Sequence, residues 1–358
     1  MKIIHCADLH LDSKIETLPS EKSRLRREEI VRTFERLATF ATENSVGAVM
    51  IAGDMFDTAR VTLKTRGRVL HAIESNPSVD FLYLSGNHDD ENFIATLDEL
   101  PKNLKVFNDE WTAFEYGNTV ISGIKFTSAN TNALYDSLSL DKEKINIVVM
   151  HGQIAGYKSN ESAEIISIPR LKDKNIDYLA LGHIHNYAEG IIDERGKYVY
   201  CGCLDARGFD ELGDKGFVLI NTDGGKVESR FVSFCSRRFH EVDYEIKDNQ
   251  SFYALLENLL ALLKSSCDRG DLIKVVLKGS HGTNFEIDKD TLAARLAENF
   301  FYCKVYDRTE LKVDMDDYIN DKSVRGEFVR AILESNMEEQ MKQRVIMCGI
   351  NALKGEEI

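Results

Sequence analysis

At 358 residues, with 43% hydrophobic and 29% charged side chains, the chain is long enough for one large domain plus a smaller one, each around a real core. A formal net charge of −14 and a pI near 5.2 argue against a protein that simply coats nucleic acid, because such affinity comes from lysine and arginine neutralising phosphates. Bound divalent cations would reverse that sign locally.

The opening Met1-Lys2-Ile3-Ile4-His5 starts a strand and lacks a signal-peptide apolar region. No apolar run approaches the ~18 residues needed to cross a bilayer, so no membrane association is expected. Seven cysteines, without a Cys-x-x-Cys pair, read as reduced and mostly buried thiols of a cytoplasmic protein.

Residues 2–7 form a short apolar run ending at Asp8. Residues 24–44 carry helical periodicity, with Ile30, Phe34 and Leu37 on one face and Arg and Glu on the other. Val46–Ala52 is a second apolar run, followed by a helical stretch at 61–75 and a strand at 80–84. Further strands are predicted at 119–124, 145–150, 177–181, 197–202, 216–221 and 227–234. Apolar strands separated by helical segments imply an α/β layered domain, in which ligands sit on the loops beyond the strand ends.

A second unit is predicted from 237: strands at 239–246, 272–278 and 301–306, and helices at 250–264 and 289–299. The tail from 320 to 354 reads as helical. The expected organisation is therefore a core at 1–236, an α+β capping domain at 237–312 and a C-terminal helical tail at 313–358.

Five short motifs fall immediately after apolar runs: Asp8-Leu9-His10, Gly53-Asp54-Met55-Phe56-Asp57, Gly86-Asn87-His88-Asp89, His151-Gly152 and Gly182-His183-Ile184-His185. Singly each is weak, since Gly-Asp is usually a turn and a strand-end histidine is usually structural. Together they place five of the nine histidines beside carboxylates and an amide. Residues two apart on extended chain share a face, so Asp8 with His10, and His183 with His185, can converge. Carboxylate, imidazole and amide donors without thiolate suit Mn²⁺, Fe²⁺ or Zn²⁺ at a catalytic centre rather than a structural zinc site. Two such cations ~3.5–4 Å apart can activate water and neutralise phosphoryl oxygens during in-line displacement.

This ordered set resembles the calcineurin-like metallophosphoesterase superfamily over roughly residues 1–235. The resemblance implies a two-sheet sandwich core flanked by helices and two divalent metal ions. Asp8, His10, Asp54 and His185 would hold the first; Asp54 would bridge to the second, held also by Asn87, His151 and His183. His88 would stand beside the substrate as a catalytic group oriented by Asp89, and Asp57 would support a ligand. Asp89 stands where protein Ser/Thr phosphatases typically have Glu, and Asp57 where purple acid phosphatases place a tyrosine ligand, so both branches are disfavoured.

The runs Ile4–Asp12 and Ala52–Asp57 look like the DNA-repair exonuclease branch of SbcD-type and YhaO-like subunits. That branch implies Mn²⁺-dependent DNA cleavage and a partner SbcC-type coiled-coil ATPase, docked through the C-terminal region, with a homodimer as a further expectation. Leu11-Asp12 departs from the SbcD form Leu-Gly and favours the YhaO-like side. A (cyclic) nucleotide phosphodiesterase with the same metals, and a non-catalytic subunit that recruits the ATPase, are the alternatives.

The dense basic clusters are Lys22–Arg27 and the set Arg60, Lys64, Arg66 and Arg68. Either tracks a DNA backbone near the site or forms a solvated helix face paired with Glu28 and Glu29. Arg207, after a predicted strand, is either a phosphate contact or part of a turn.

Overall fold

The computed structural model of the protein describes residues 1–57, 61–86, 89, 94, 99–127, 129–131, 133–156, 164–247, 250–282, 285, 287–312 and 321–354. The chain divides into two compact units, Met1–Arg238 and Phe239–Ile358. In chain order the first unit runs β1 (Lys2–Cys6), α1 (Ser20–Glu43), β2 (Val46–Ala52), α2 (Leu63–Glu74), β3 (Asp80–Leu84), β4 (Leu104–Val106), β5 (Thr112–Tyr116), β6 (Thr119–Gly123), α3 (Ala133–Ser137), β7 (Ile145–His151), β8 (Gln153–Ile154), β9 (Ile165–Ile166), α4 (Ile168–Leu171), β10 (Tyr178–Gly182), β11 (Ala188–Ile191), β12 (Lys197–Tyr200), β13 (Gly216–Asn221) and β14 (Glu228–Ser233).

Two six-stranded sheets form, in the orders β14-β13-β1-β2-β3-β4 and β11-β12-β10-β7-β6-β5. Strands β1 to β4 are parallel, as are β12, β10, β7 and β6; antiparallel strands stand only at the margins. The sheets pack face to face, so Ile3, Met50 and Leu82 of one meet Ile147, Tyr178 and Val199 of the other in a single core. The outer face of the second sheet, with Val148, Met150 and Leu181, is covered by Leu134, Leu171 and Ile176. Phe34 of α1 covers Phe81 on the outer face of the first. Because both faces are covered, β7 is buried at every residue, which is why its sequence reads as a continuous apolar run rather than an alternation. This is the expected α/β two-sheet core.

The second unit contains β15 (Phe239–Glu245), α5 (Phe252–Ser266), β16 (Leu272–Lys278), β17 (Ser280–Gly282), α6 (Lys289–Ala297), β18 (Tyr302–Asp307), β19 (Glu310–Lys312), α7 (Val324–Leu333) and α8 (Glu339–Lys354). Strands β15, β16 and β18 form a parallel sheet, which requires crossovers; α5 and α6 supply them. Leu255, Leu259 and Leu263 line one face of α5 and pack with Ile273, Val275 and Leu277. The tail, predicted as helical, is two helices. Ser323 caps α7 by accepting from Gly326 N, and Lys342 donates to the terminal Leu333 carbonyl at 2.7 Å. No helix among the described residues is long and apolar enough to cross a membrane, and all seven cysteines are free thiols.

One histidine outside the motifs ties the sheets together. His5 of β1 is fully buried, with Nδ1 3.0 Å from the Tyr178 hydroxyl of β10. Burial pushes its pKa down to about 3. The folded protein therefore refuses a proton that the unfolded chain accepts below pH ~6.5, so stability is full above that pH and falls as pH drops toward 3. At ~1.4 kcal/mol per unit, this residue alone removes about 2 kcal/mol between pH 6.5 and 5. Urea midpoints measured at those two pH values should differ less in His5→Gln than in the wild type; equal differences would exclude His5 as a source of acid sensitivity.

Candidate metal centre

The described motif residues meet at the carboxyl ends of the central parallel strands. Three of these ends are stitched together by their backbones: Asp8 N donates to Gly53 O, and His10 N to Asp54 O, at 3.1 and 3.0 Å. His183 N donates to both Asp8 carboxylate oxygens at 2.9 and 3.1 Å. The local conformation is unusual. Asp8, His10, Asp54 and His183 all have positive φ, of 51°, 43°, 52° and 98°. Each such non-glycine residue costs on the order of 1–3 kcal/mol, a strain typical of functional sites. Two motif glycines leave the room required. A Cβ on Gly53 would stand 2.1 Å from His151 Nδ1, and one on Gly86 would stand 2.1 Å from Asp54 Oδ1.

Two groups of donors result. Asp8, His10 and His185 form one, and Asp54, His151 and His183 the other; within each, one ligand atom per residue lies within 4.8 Å of the others. Asp54 faces both, its Oδ2 lying 3.3 Å from His151 Nε2 and 3.9 Å from His10 Nε2. All six residues are buried except His185, which is partly buried.

The outer nitrogens of three rings are held from behind. His151 Nδ1 lies 2.9 Å from the Ala52 carbonyl, His185 Nδ1 2.8 Å from Glu211 Oε1, and His10 Nδ1 3.1 Å from Asp57 Oδ1. In His151 and His185 these hydrogen-bond partners favour the proton on Nδ1 and turn Nε2 inward. In the first group His10 Nε2 and His185 Nε2 meet at hydrogen-bond distance, 3.1 Å apart. A cation bound beside them would replace that contact with ligation by both nitrogens. The thiolate-free donor set and this geometry fit divalent metal ions.

Electrostatics agree. Burial alone would lower the His151 pKa, but the Asp54 and Asp8 carboxylates outweigh it and raise it to about 9. Burial likewise opposes protonation of His185, yet Glu211 and Asp8 raise its pKa. Burial and the Asp54 charge push the Asp8 carboxyl up, against the pull of His185 and His151. Concentrated negative charge in a dry site is what a divalent cation relieves.

Asp57 sits beside His10, where support for a ligand was expected, and also 3.1 Å from Arg207 Nη1. Asp89 accepts from Phe56 N and Gly86 N, each at 2.8 Å, and so fastens the loop after β2 to the loop after β3. Burial and the Asp54 charge raise its pKa, against those backbone donors. Asn87, His88 and Arg60 lie outside the described residues.

The basic positions show their intramolecular alternative. Arg68 of α2 pairs with Glu35 and Glu28 of α1 at 2.6 and 2.7 Å, and Lys64 pairs with Glu28. Their charge is balanced within the α1–α2 pair. Arg66 is a half-buried residue of the same helix. Arg207 turns inward, with its guanidinium 3.1 Å from both Asp57 and Glu211, on the Nδ1 side of the two imidazoles. Glu211 itself was not anticipated. It lies 26 positions beyond His185 in a segment without periodicity, and no spacing rule singles it out.

A family model for calcineurin-like phosphoesterases matches residues 1–187. Over 304 residues the chain is 26% identical to the Bacillus subtilis metallophosphoesterase YhaO, an alignment covering 78% of this chain and 72% of that protein. It is 23% identical over 370 residues to the DNA double-strand break repair protein Mre11 of Sulfolobus acidocaldarius, covering 96% of this chain and 86% of that one. The Mre11 protein of Methanopyrus kandleri is 25% identical over 361 residues, covering 90% and 76%. The family match spans more than half of the 358 residues and includes the strand ends that carry the two donor groups, so the chain belongs to the calcineurin-like phosphoesterase family and is a metal-dependent phosphoesterase.

Proposed function

We propose that the protein is a Mn²⁺-dependent DNA nuclease that hydrolyses phosphodiester bonds at a dinuclear centre, working with an SbcC-type coiled-coil ATPase. The observation that carries the reading is the pair of carboxylate–imidazole groups sharing Asp54. Similarity to proteins named for DNA double-strand break repair, over nearly the whole chain, supports DNA as the diester substrate.

In this reading Asp8, His10, Asp54 and His185 hold one cation, and Asp54, Asn87, His151 and His183 the other. When bound, the pair supplies Lewis-acid neutralisation of the phosphoryl oxygens and acidifies water at neutral pH. The chain's own groups do the rest. Asp57 and Glu211 fix the orientation of the His10 and His185 rings, and the Ala52 carbonyl fixes His151. Asp89 locks the turn at Gly86, and His88, two positions later in the sequence, is the group assigned to the leaving oxygen. A group that protonates that oxygen contributes ~10²–10⁴-fold.

A second reading, a small-diester phosphodiesterase, gains from one observation: Lys64 and Arg68 are paired with glutamates rather than free for a phosphate backbone. The deciding experiment offers linear duplex DNA, single-stranded DNA and bis-p-nitrophenyl phosphate with Mn²⁺ to wild type and His88→Ala. DNA cleavage that drops ~10²-fold or more in the variant, while its metal content is unchanged, is the expected result. Diester turnover without DNA cutting, even with an ATPase partner added, would transfer the assignment to the small substrate.

A further inference from the structure

His185 is held at its backbone and at its ring by different groups. Its carbonyl accepts from Cys203 N at 3.2 Å and from the buried Lys215 Nζ at 3.0 Å. With the main chain fixed, rotation of the imidazole is the freedom that remains. Glu211 opposes it, since Oε1 lies 2.8 Å from His185 Nδ1, the shortest contact on that side of the ring.

Glu211 needs a holder of its own, because a glutamate side chain has several rotatable bonds and this one is buried. Arg207 supplies it. Its Nη2 and Nε donate to Glu211 Oε1 at 3.1 and 3.3 Å, and its backbone N donates to Oε2 at 2.6 Å. On its other side, Nη1 donates at 3.1 Å to Asp57 Oδ1, the oxygen that stands 3.1 Å from His10 Nδ1. One planar guanidinium thus spans two carboxylates, each beside an imidazole of the first donor group. A lysine ammonium, which is a point charge, cannot present that fork. All three guanidinium nitrogens are engaged by these carboxylates, so Arg207 is turned toward the protein rather than toward a substrate phosphate.

We infer that Arg207 is a positioning residue for metal binding, which acts through Glu211 to aim His185 Nε2 into the Asp8–His10–His185 group. The inference rests on the metal-centre reading and adds to it a cation whose removal weakens binding. By charge alone the sign would be opposite, because a guanidinium near a site for divalent cations repels them and its loss would tighten the site. The two accounts therefore separate on the direction of a single change.

The test is Mn²⁺ titration with no nucleic acid present, read by calorimetry and by loss of the free-ion electron paramagnetic resonance signal. A His183→Ala background disables the second donor group, so that the first is read by itself. There Arg207→Met should weaken binding on the order of 10-fold, within the range typical of lost partners behind a ligand. Arg207→Lys, which keeps the charge and loses the fork, should weaken it by about threefold and carries the test if the methionine variant misfolds.

Glu211→Gln should weaken binding ~10–100-fold. Adding Arg207→Met to it should change the affinity less than about threefold, because the route to His185 is already cut. A general loss of structure would not give that non-additivity, nor the partial rescue by lysine. Binding as tight as in the background, or tighter, in either Arg207 variant overturns the inference, as does a larger further loss in the double variant. Because binding is read without substrate, a wild type that loads metal yet leaves DNA intact counts against the nuclease reading alone.

Discussion

Asp54→Asn is expected to abolish hydrolysis while leaving the fold intact. Asp54 is fully buried, and its Oδ2 lies within 4 Å of an imidazole nitrogen from each donor group. Asparagine preserves size but removes the anion that two adjacent cations would share. Metal content should fall from two ions to one or fewer. The turnover rate should drop roughly 10³-fold or more, since several kcal/mol of charge stabilisation disappear with the second ion. The metal-free variant should melt close to metal-free wild type, because the substitution relieves the Asp8 carboxyl of the Asp54 charge but also removes the carboxylate that favours protonated His151. Two ions retained with turnover within tenfold would remove Asp54 from the bridging position.

The second large effect concerns stability. Arg26 of α1 is fully buried and donates to Asp205 Oδ1 at 2.7 Å, the Ala206 carbonyl at 2.8 Å, Glu29 at 2.7 Å and Ser236 Oγ at 2.8 Å. Asp205 also accepts from Thr33 Oγ1 at 2.9 Å and Ser236 N at 3.0 Å. Asp205→Ala removes a carboxylate that, together with Glu29, faces the buried guanidinium, and takes from Thr33 and Ser236 this acceptor, which costs about 3–5 kcal/mol. For a unit of this size, that lowers the melting temperature on the order of 10 °C. The double variant Arg26→Met/Asp205→Leu, which removes both charges, should recover most of the loss. A melting temperature within 2 °C of wild type for Asp205→Ala would show that water relieves the arginine. The same substitution reaches the metal centre, because Asp205 anchors the segment carrying Arg207 and Glu211.

These two networks differ in how far the sequence reveals them. The central strands were legible because parallel strands buried on both faces read as unbroken apolar runs, and β7 and β10 each deliver a histidine at or just after their ends. The six described donors were legible for the same reason: strand ends followed by Asp or His mark loops at a site. Three short or half-exposed strands were not. β5 alternates half-buried and exposed residues, and β8 and β9 are two residues each, too short for a period to register.

Arg26 belonged to a run that read as a basic cluster, because its buried partner Asp205 lies 179 positions away. Glu211 escaped for a similar reason, since its contacts to His185 and Arg207 depend on a loop without regular structure.

The most direct measurement is anomalous diffraction at the manganese edge from crystals soaked in Mn²⁺. Two peaks about 3.5–4 Å apart, flanking the Asp54 carboxylate, with His10 and His185 on one and His151 and His183 on the other, are the predicted result. A single peak, or none within reach of Asp54, would contradict the dinuclear centre on which the proposed hydrolysis depends.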